Sequence, residues 1–492
     1  ASAADLGLEI FDDDERSLID RVGSSRAFVV NHHVAHAASA FAVGAMPEAA
    51  VLIVDGSGTR FPKEEGEPGL IAMGAPDVPD DFPMRHYDRS AETQSIFHAT
   101  RDGSGRPSYR RVATSRRSGI GHFYTFFSRH VLGFGMNQEG KSMGLAAWGD
   151  SARIDAPRFP DEVLDSIETA MLEHCMSVGY RPPKRASGID PTTSPTADIA
   201  HWMQEVLGEA MLRLARRSLR ETGSRRLCMA GGVTLNVVAN RLIRDTLRGE
   251  GMLDEIFVQP AASDTGTPLG AALHGYASVL QGTCPFQSNL VYLGPDHDEE
   301  AAEGLAIESG GVRHEDPTNA TADLLLDGRI VGWWQGRSEH GPRALGSRSI
   351  LCWPRPDWMK GHLNARVKHR EMFRPFAPII AEERAFEVFD CDFAVPYMLM
   401  NTRVRPEYRD RLPAITHVDG SGRLQTVASS RTPRLHLLLK EIHARDGVGV
   451  LLNTSFNDAG EPIVETAAHA IDCFRRTNID ALVIGRVVIV KS

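Results

Sequence analysis

What this chain has little of narrows its class before any motif is read. Its six cysteines (Cys175, Cys228, Cys284, Cys352, Cys391, Cys473) are far apart and form no C-x-x-C pair. That excludes a disulfide framework and a zinc ribbon and points to a reducing cytoplasm. No apolar run approaches the roughly 18 residues of a membrane-spanning helix; the longest strand-like block, Ala49 to Val54, has six. A membrane partner is therefore not expected. Positive charge is short as well, with 54 Lys and Arg against 64 Asp and Glu for a net −10, so a surface that coats nucleic acid is not expected either. The chain opens on Ala1-Ser2-Ala3-Ala4-Asp5-Leu6, with neither Met nor the basic and apolar segments of a signal peptide, and reads as a chain missing its true beginning.

What is present is ordinary globular material. At roughly 100 to 200 residues per domain, 492 residues make two or three domains. Apolar content of 42% and charged content of 24% exclude a disordered or coiled-coil class. Ala49–Val54 reads as a buried strand running into the turn Asp55-Gly56-Ser57-Gly58, followed by an irregular stretch, residues 60–118, that holds a hairpin and an insertion. Helical spacing is expected over Phe123–Leu132, Ser142–Trp148 and, as a long amphipathic helix, Ala197–Glu221. Two strand-turn-helix units come next. Arg226–Met229 leads through Gly231-Gly232 into a helix to Asn240, and Ile256–Gln259 leads through Ser263-Asp264-Thr265-Gly266 into a helix to Leu280. This alternation predicts an α/β layered domain. Gln281–Gly311 reads as linker, and a second α/β run from Asn319 ends in strands Gly447–Leu452 and Ala481–Val490.

Four residues suggest a metal centre. On a helix over Asn31–Ala40, His32 and His36 stand at i and i+4 and share a face. Asp55 at a strand end and Asp264 at a helix start supply carboxylates where N–H groups favour the ionised form. A His2Asp2 set suits iron, manganese or zinc with positions open to substrate oxygen. Each part also has a plainer use: helix histidines that only hydrogen-bond, a turn shaped by Asp55, a helix capped by Asp264. The glycine-rich turns Gly231–Asn236 and Asp264–Gly270 can cradle an anion or simply let helix and strand pack closely. Gly140-Lys141-Ser142-Met143-Gly144 sets a lysine at a helix start and is not read as a Walker-type site.

The −10 is an average over opposites. Between Arg337 and Arg374 nine basic residues face three acids, so this window carries +6 and the rest of the chain −16. Arg343, Arg348, Arg366, Lys368, Arg370 and Arg374 lie there among glycines and aromatics. Guanidinium groups bind phosphate in a planar, bidentate way, so such crowding suits several phosphoryl groups held together. Three later segments, His417–Gly420, Arg423–Val427 and Leu452–Asn457, read as ligand-binding loops beside strands.

Taken in order, HHVAH, VLIVDG, EGKSMGLAAWG, AGGVTLN, ASDTGTPLGAA, GRSEHGPRALGSRSIL, RVKHREMFRPFAP, DGSGRLQTV and LNTSFNDAGEPIV span His32 to Val464. In these the chain resembles the carbamoyltransferase family of antibiotic biosynthesis and nodulation factors. The resemblance implies an actin- and hexokinase-like (ASKHA) metal-binding domain over residues 1–300 and an α/β YrdC-like domain over residues 318–492. It implies that the second domain makes carbamoyl-adenylate from carbamoyl phosphate and ATP with Mg(2+), releasing pyrophosphate and phosphate. The first then passes the carbamoyl group to a hydroxyl of a natural-product or oligosaccharide acceptor. The implied metal is Fe(2+), on His32, His36, Asp55 and Asp264. Arg343, Arg348, Lys368, Arg370, Arg374, His417 and Arg423 are implied at the phosphates, with Asn453, Ser455 and Asn457 in the nearby loop. Lys141, Gly231, Gly232 and Asn236 are implied at the adenylate in the first domain. The family's short H-D-A-S-like opening motif is missing, so no catalytic base is assigned and the first sheet is expected to lack strands. A tRNA threonylcarbamoyl transferase-like enzyme is the alternative, opposed by the net charge and by the basic second domain. The acceptor and the oligomeric state stay open.

Overall fold

A computed structural model describes residues 30–44, 46–58, 91–115, 119–160, 175, 177–180, 190, 192–193, 195–284 and 291–491. The chain divides into two compact units. One draws its residues from within 1–139, 151–187 and 202–287, the other from within 140–150, 188–201 and 288–492.

The first unit is organised by β1 (Glu48–Val54), whose residues from Ala49 onward are fully buried. Both faces are apolar, as expected of a strand covered on both sides. β2 (Gln94–Arg101) pairs with β1 antiparallel, and β3 (Pro107–Ser115) completes the hairpin. β4 (Arg226–Ala230) joins the other edge of β1 in parallel, and β5 (Glu255–Val258) joins β4 in parallel, giving the order β3-β2-β1-β4-β5. Because β1, β4 and β5 run the same way, their carboxyl ends bring Asp55, Gly231-Gly232 and the loop to Asp264 to one edge of the sheet, where ligands bind in α/β folds.

The helices of this part of the chain are α1 (His32–Phe41), α2 (Ile120–Phe126), α3 (Glu139–Ala146), α4 (Thr196–Thr222), α5 (Val237–Gly249) and α6 (Thr267–Ser278). α1 starts where the Asn31 side chain accepts the Val34 N–H at 3.0 Å. Its Ala37, Ala40 and Phe41 pack on Val51 and Ile53 of β1. The expected helix to Asn240 runs nine residues further, to Gly249, because Ile243 and Leu247 continue its buried face. α6 lies close against α1: a Cβ at Gly270 would stand 1.8 Å from the Ala35 carbonyl oxygen.

The second unit holds an eight-stranded mixed sheet in the order β13-β9-β14-β8-β7-β15-β16-β6 and a small sheet in the order β10-β11-β12. Its elements in chain order are α7 (Glu299–Glu308), β6 (Val312–Arg313), α8 (Thr318–Leu326), β7 (Val331–Trp334), β8 (Arg348–Cys352), α9 (Met359–Leu363), β9 (Ala377–Ala381), β10 (Phe389–Asp390), β11 (Thr402–Val404), β12 (Ser421–Gly422), β13 (Gln425–Val427), α10 (Pro433–Asp446), β14 (Val450–Ser455), α11 (Ala467–Arg476), β15 (Ala481–Ile484) and β16 (Val487–Val490). Trp333, Leu351, Ile379, Leu451 and Val483 form the core with Leu325 of α8 and Leu435, Leu438 and Ile442 of α10. The expected single strand over Ala481–Val490 is a hairpin, turned at Gly485 with φ +56°.

The expected boundaries move. The supposed linker over residues 281–311 contains α7, whose buried Glu303 is bonded to Arg486 at 3.1 Å and Arg313 at 3.2 Å, and β6 pairs with β16. The second unit thus takes in residues from 288 rather than 318, and Gly140–Asp150 belongs with it although it lies far upstream. Glycine and proline near Gly282, Gly294 and Pro295 gave this stretch its loop-like reading. Replacing Gly270 by Ala should destabilise the chain by about 1–3 kcal/mol through overpacking of α6 on α1. Equilibrium denaturation measures this, and an unchanged midpoint would show that the two helices part freely.

Candidate metal centre and anion site

α1 carries His32 and His36 one turn apart, and their Nε2 atoms face each other at 3.1 Å. Asp55, delivered by β1, sets Oδ2 3.0 Å from His32 Nε2 and 3.1 Å from His36 Nε2. Asp264, delivered by the loop after β5, sets Oδ1 3.4 and 3.7 Å from the same two atoms. All four ligand atoms lie within 4.8 Å of one another. Metal–ligand bonds of about 2.1 Å place neighbouring ligand atoms about 3.0 Å apart in an octahedron and about 3.4 Å apart in a tetrahedron. The observed separations are edges of that size, so the four side chains fit one divalent cation.

Without a cation, the two carboxylates favour protonated imidazoles, so a cation bound here displaces protons from them. Burial disfavours charge on His32, but hydrogen bonds to Asp264 and Asp55 outweigh it and push His32 up to about 9. His36 is raised by the same partners against the same burial. Burial opposes ionisation of Asp55, yet His32 and His36 hold its carboxyl well below the usual range, and they lower Asp264 too. Two facing Nε2 atoms cannot both direct a proton along the line joining them, whereas both can direct lone pairs at one cation. Asp55 Oδ1 is held away from the pair by the N–H groups of Gly56 at 2.9 Å and Gly232 at 3.1 Å.

That last bond changes the reading of the first glycine turn. The Gly232 N–H is committed to Asp55, and the Gly231 N–H to the Ala262 carbonyl at 2.7 Å. Gly231 has φ +95°, and a Cβ there would meet the Val54 oxygen at 2.2 Å. Asn236 caps α5 by accepting the Ala239 N–H and exchanges amide hydrogen bonds with Gln204. Gly231, Gly232 and Asn236, expected at the adenylate, thus have local partners: Gly231 ties the end of β4 to the loop after β5, Gly232 orients the Asp55 carboxylate, and Asn236 caps α5. Lys141, expected beside them, pairs with Glu371 at 2.6 Å and is grouped with the second unit. Residues 135–142 do satisfy the spacing G-x-x-x-x-G-K-[ST], but they follow a helical turn, Phe127–Val131, rather than the strand a P-loop requires.

In the second unit the predicted cations separate into two kinds. Arg348 is fully buried. It donates Nε to Glu465 O at 2.9 Å, Nη1 to Gln335 O and Ser347 O at 2.8 and 3.2 Å, and Nη2 to Gly336 O at 3.0 Å, while stacking over Trp334. With four N–H groups on backbone carbonyls and Nη2 also 3.6 Å from Glu465 Oε1, it is a structural clamp. His417 likewise bonds the Phe373 carbonyl at 3.1 Å.

Arg343, Arg370, Arg374 and Arg423 differ, because they repel one another. Burial and then Arg374 push both Arg343 and Arg370 down to about 10. Arg423 is held well below its usual range by burial and by Arg343, Arg370 and Arg374. The Nε atoms of Arg343 and Arg423 and the Oδ1 of Asn453 are buried without a hydrogen-bond partner. Burial and Arg370 push Lys368 down to about 7; its ammonium faces oxygens of Ser455 and Asn457 at 2.7 to 3.3 Å. Converging cations with unspent donors are a site for an anion of several charges.

Sequence reasoning missed the acids that build these sites. Glu339, half-buried within the basic window, accepts the N–H groups of Leu345, Ser347 and Arg348 at 2.6, 2.7 and 3.3 Å and so folds the loop that carries Arg343. Its signal was a lone acid among arginines and glycines. Arg348→Met should cost about 3 kcal/mol or more, since four carbonyls lose a buried donor. Arg423→Met should instead stabilise by about 1 kcal/mol, since a repelled buried cation is removed. Paired denaturation curves test this, and two shifts of the same sign would undo the division into clamp and ligand.

The comparisons with known proteins bear on this geometry. The model for the carbamoyltransferase N-terminus matches residues 19–273 and that for the carbamoyltransferase C-terminus residues 322–491. The chain is 36% identical over 475 residues to the nodulation protein NolO of Bradyrhizobium diazoefficiens, covering 93% of this chain and 78% of that one. It is 35% identical over 357 residues to a 3'-hydroxymethylcephem-O-carbamoyltransferase of Amycolatopsis lactamdurans, covering 71% and 64%. A crystal structure of HypF from T. kodakarensis matches 56% of this chain and 40% of its own at 12% identity, with a TM-score of 0.28. On the family models and the relatives, this mixed α/β chain is an enzyme that belongs to the carbamoyltransferase family.

Proposed function

We propose that the protein is an ATP-dependent O-carbamoyltransferase of the cytoplasm working in two half-reactions. The observation that carries this reading is the convergence of Arg343, Arg370, Arg374 and Arg423, which suits two polyanionic substrates in one site. There, in a domain of the YrdC-like kind, water hydrolyses carbamoyl phosphate to carbamate and phosphate, its oxygen staying with one fragment and its protons passing to solvent. A carbamate oxygen then attacks the α-phosphorus of Mg-bound ATP and pyrophosphate leaves, so that carbamoyl-adenylate forms. Guanidinium groups already in place neutralise the departing charge without reorganising.

In the first unit the acceptor hydroxyl attacks the carbamoyl carbon, the bond to AMP breaks, and the hydroxyl proton passes to a base outside the assigned residues. A divalent metal, iron on this reading, supplies Lewis-acid polarisation when bound. His32, His36, Asp55 and Asp264 hold it, and Gly56 and Gly232 keep Asp55 turned toward it. The strand order β3-β2-β1-β4-β5 supports an actin- and hexokinase-like domain here. The relative named as a hydroxymethylcephem carbamoyltransferase and those named as nodulation proteins support a small-molecule or oligosaccharide hydroxyl as acceptor, with no part for nucleic acid or membrane.

Arg343→Ala should abolish pyrophosphate release from carbamoyl phosphate and ATP, while His36→Ala keeps that release but loses bound iron and transfer. Pyrophosphate output indifferent to Arg343 sinks the activation site, and joint loss of both activities in a folded His36→Ala variant sinks the division. The low Lys368 value adds a pH signature. At pH 8 this lysine is mostly deprotonated in the free enzyme, and an incoming polyanion raises it toward its ordinary value, so binding takes up protons between about pH 7 and 10. Calorimetry of carbamoyl phosphate binding at pH 8 should then give different heats in Tris and HEPES; equal heats refute the assignment of Lys368 to the anion.

A further inference from the structure

The outer support of the metal site carries an inference that rests on the metal reading above. His36 Nδ1 is buried without a hydrogen-bond partner, so the bond that commonly orients a metal-binding imidazole is missing there. Orientation must come from α1 itself. A rotation of α1 by about 10° would carry an imidazole nitrogen about 1 Å sideways, given a helix radius with side chains of about 5–6 Å. Useful metal geometry tolerates about half of that.

Two charged residues hold α1 at its first turn. Glu92 has a fully buried side chain, and its Oε1 accepts the His33 N–H at 3.2 Å. Arg111 of β3 sets Nη1 3.3 Å from Glu92 Oε2 and donates Nη2 to Asn31 Oδ1 at 2.8 Å. The same Asn31 oxygen caps α1 through the Val34 N–H. The backbone beside Glu92 holds the facing ligand: Glu92 O accepts the Gly58 N–H at 2.7 Å, and Thr93 O accepts the Asp55 N–H at 2.9 Å. His33 Nδ1 meets Ser95 Oγ at 2.7 Å. One short stretch, Glu92 to Ser95, therefore fixes both the helix that carries His32 and His36 and the strand end that carries Asp55.

We propose that the pair of buried Glu92 and half-buried Arg111 is a positioning device for the metal ligands, setting cation affinity by locking α1 against the Asp55 turn. Neither residue touches the cation. Its effect is read by titrating the full chain with Co(II), followed by absorbance and calorimetry. Arg111→Met should weaken Co(II) binding about 10- to 100-fold, the range for outer-shell support. Arg111→Lys should recover part of the loss, because it restores the charge beside Glu92 but cannot bridge to Asn31. Since Arg111→Met removes the cation beside the buried Glu92 carboxylate and can fail to fold, the double variant Glu92→Gln with Arg111→Met removes both charges together. It should fold, keep the metal-free melting temperature within a few degrees, and still bind Co(II) about 10-fold or more weakly. A folded double variant with wild-type affinity overturns the positioning role alone. A wild-type chain that takes up no Co(II) overturns the metal reading, and this inference with it.

Discussion

Holding together groups that repel one another is the constraint on which both sites depend. In the first unit two imidazole nitrogens face each other at 3.1 Å with two carboxylates beside them. In the second, burial and neighbouring guanidinium groups, Arg374 among them, hold Arg343, Arg370 and Arg423 below their usual range. Neither arrangement would persist on a flexible surface, because like charges part when they can. Each is enforced by backbone fixed for other reasons. β1, buried on both faces, cannot withdraw Asp55, and the loop after Ser338 cannot swing Arg343 away while Glu339 grips three of its amides.

That enforcement costs stability, and the surrounding structure offsets it. A converging cation set is worth nothing to the folded state and would be improved by apolar replacements. Around it the chain spends its best polar contacts on geometry. Arg348 spends four N–H groups on four carbonyls, and Asn453 bridges Ala344 O and Gln425. Similar residue types thus serve opposite ends within one loop system. Arg343 and Arg348, five positions apart, differ only in whether the fold leaves their donors spent.

The sequence made some of this legible and hid the rest for identifiable reasons. Strand-end carboxylates and an i,i+4 histidine pair are local patterns, so His32, His36, Asp55 and Asp264 could be named before their convergence was seen. Strands flanked by glycine turns were equally plain, as at Ala49–Val54 and Arg226–Met229. What failed was anything set by partners distant in the chain. Arg348 and Arg343 look alike until Glu465 and Gln335 are placed. Gly231 and Gly232 spell an anion cradle until Val54 and Asp55 arrive beside them. Lys141 followed its motif into the wrong unit because Glu371, more than two hundred residues away, claims it. α7 was missed because small residues between glycines carry little helical signal, and its buried Glu303 gains meaning only from Arg486.

The net charge fits the same account. A chain that joins two polyanions needs a concentrated positive site, while one that holds a divalent cation needs carboxylates kept ionised and imidazoles free to give lone pairs. Placed side by side these demands conflict, since the guanidinium groups would pair with Asp55 and Asp264 and compete with the cation for them. The +6 window lies within the second unit, and the remaining −16 is spread over both units. The modest −10 of the whole chain is thus the sum of one local +6 window and a −16 spread over every other residue, which is why the average hides the window.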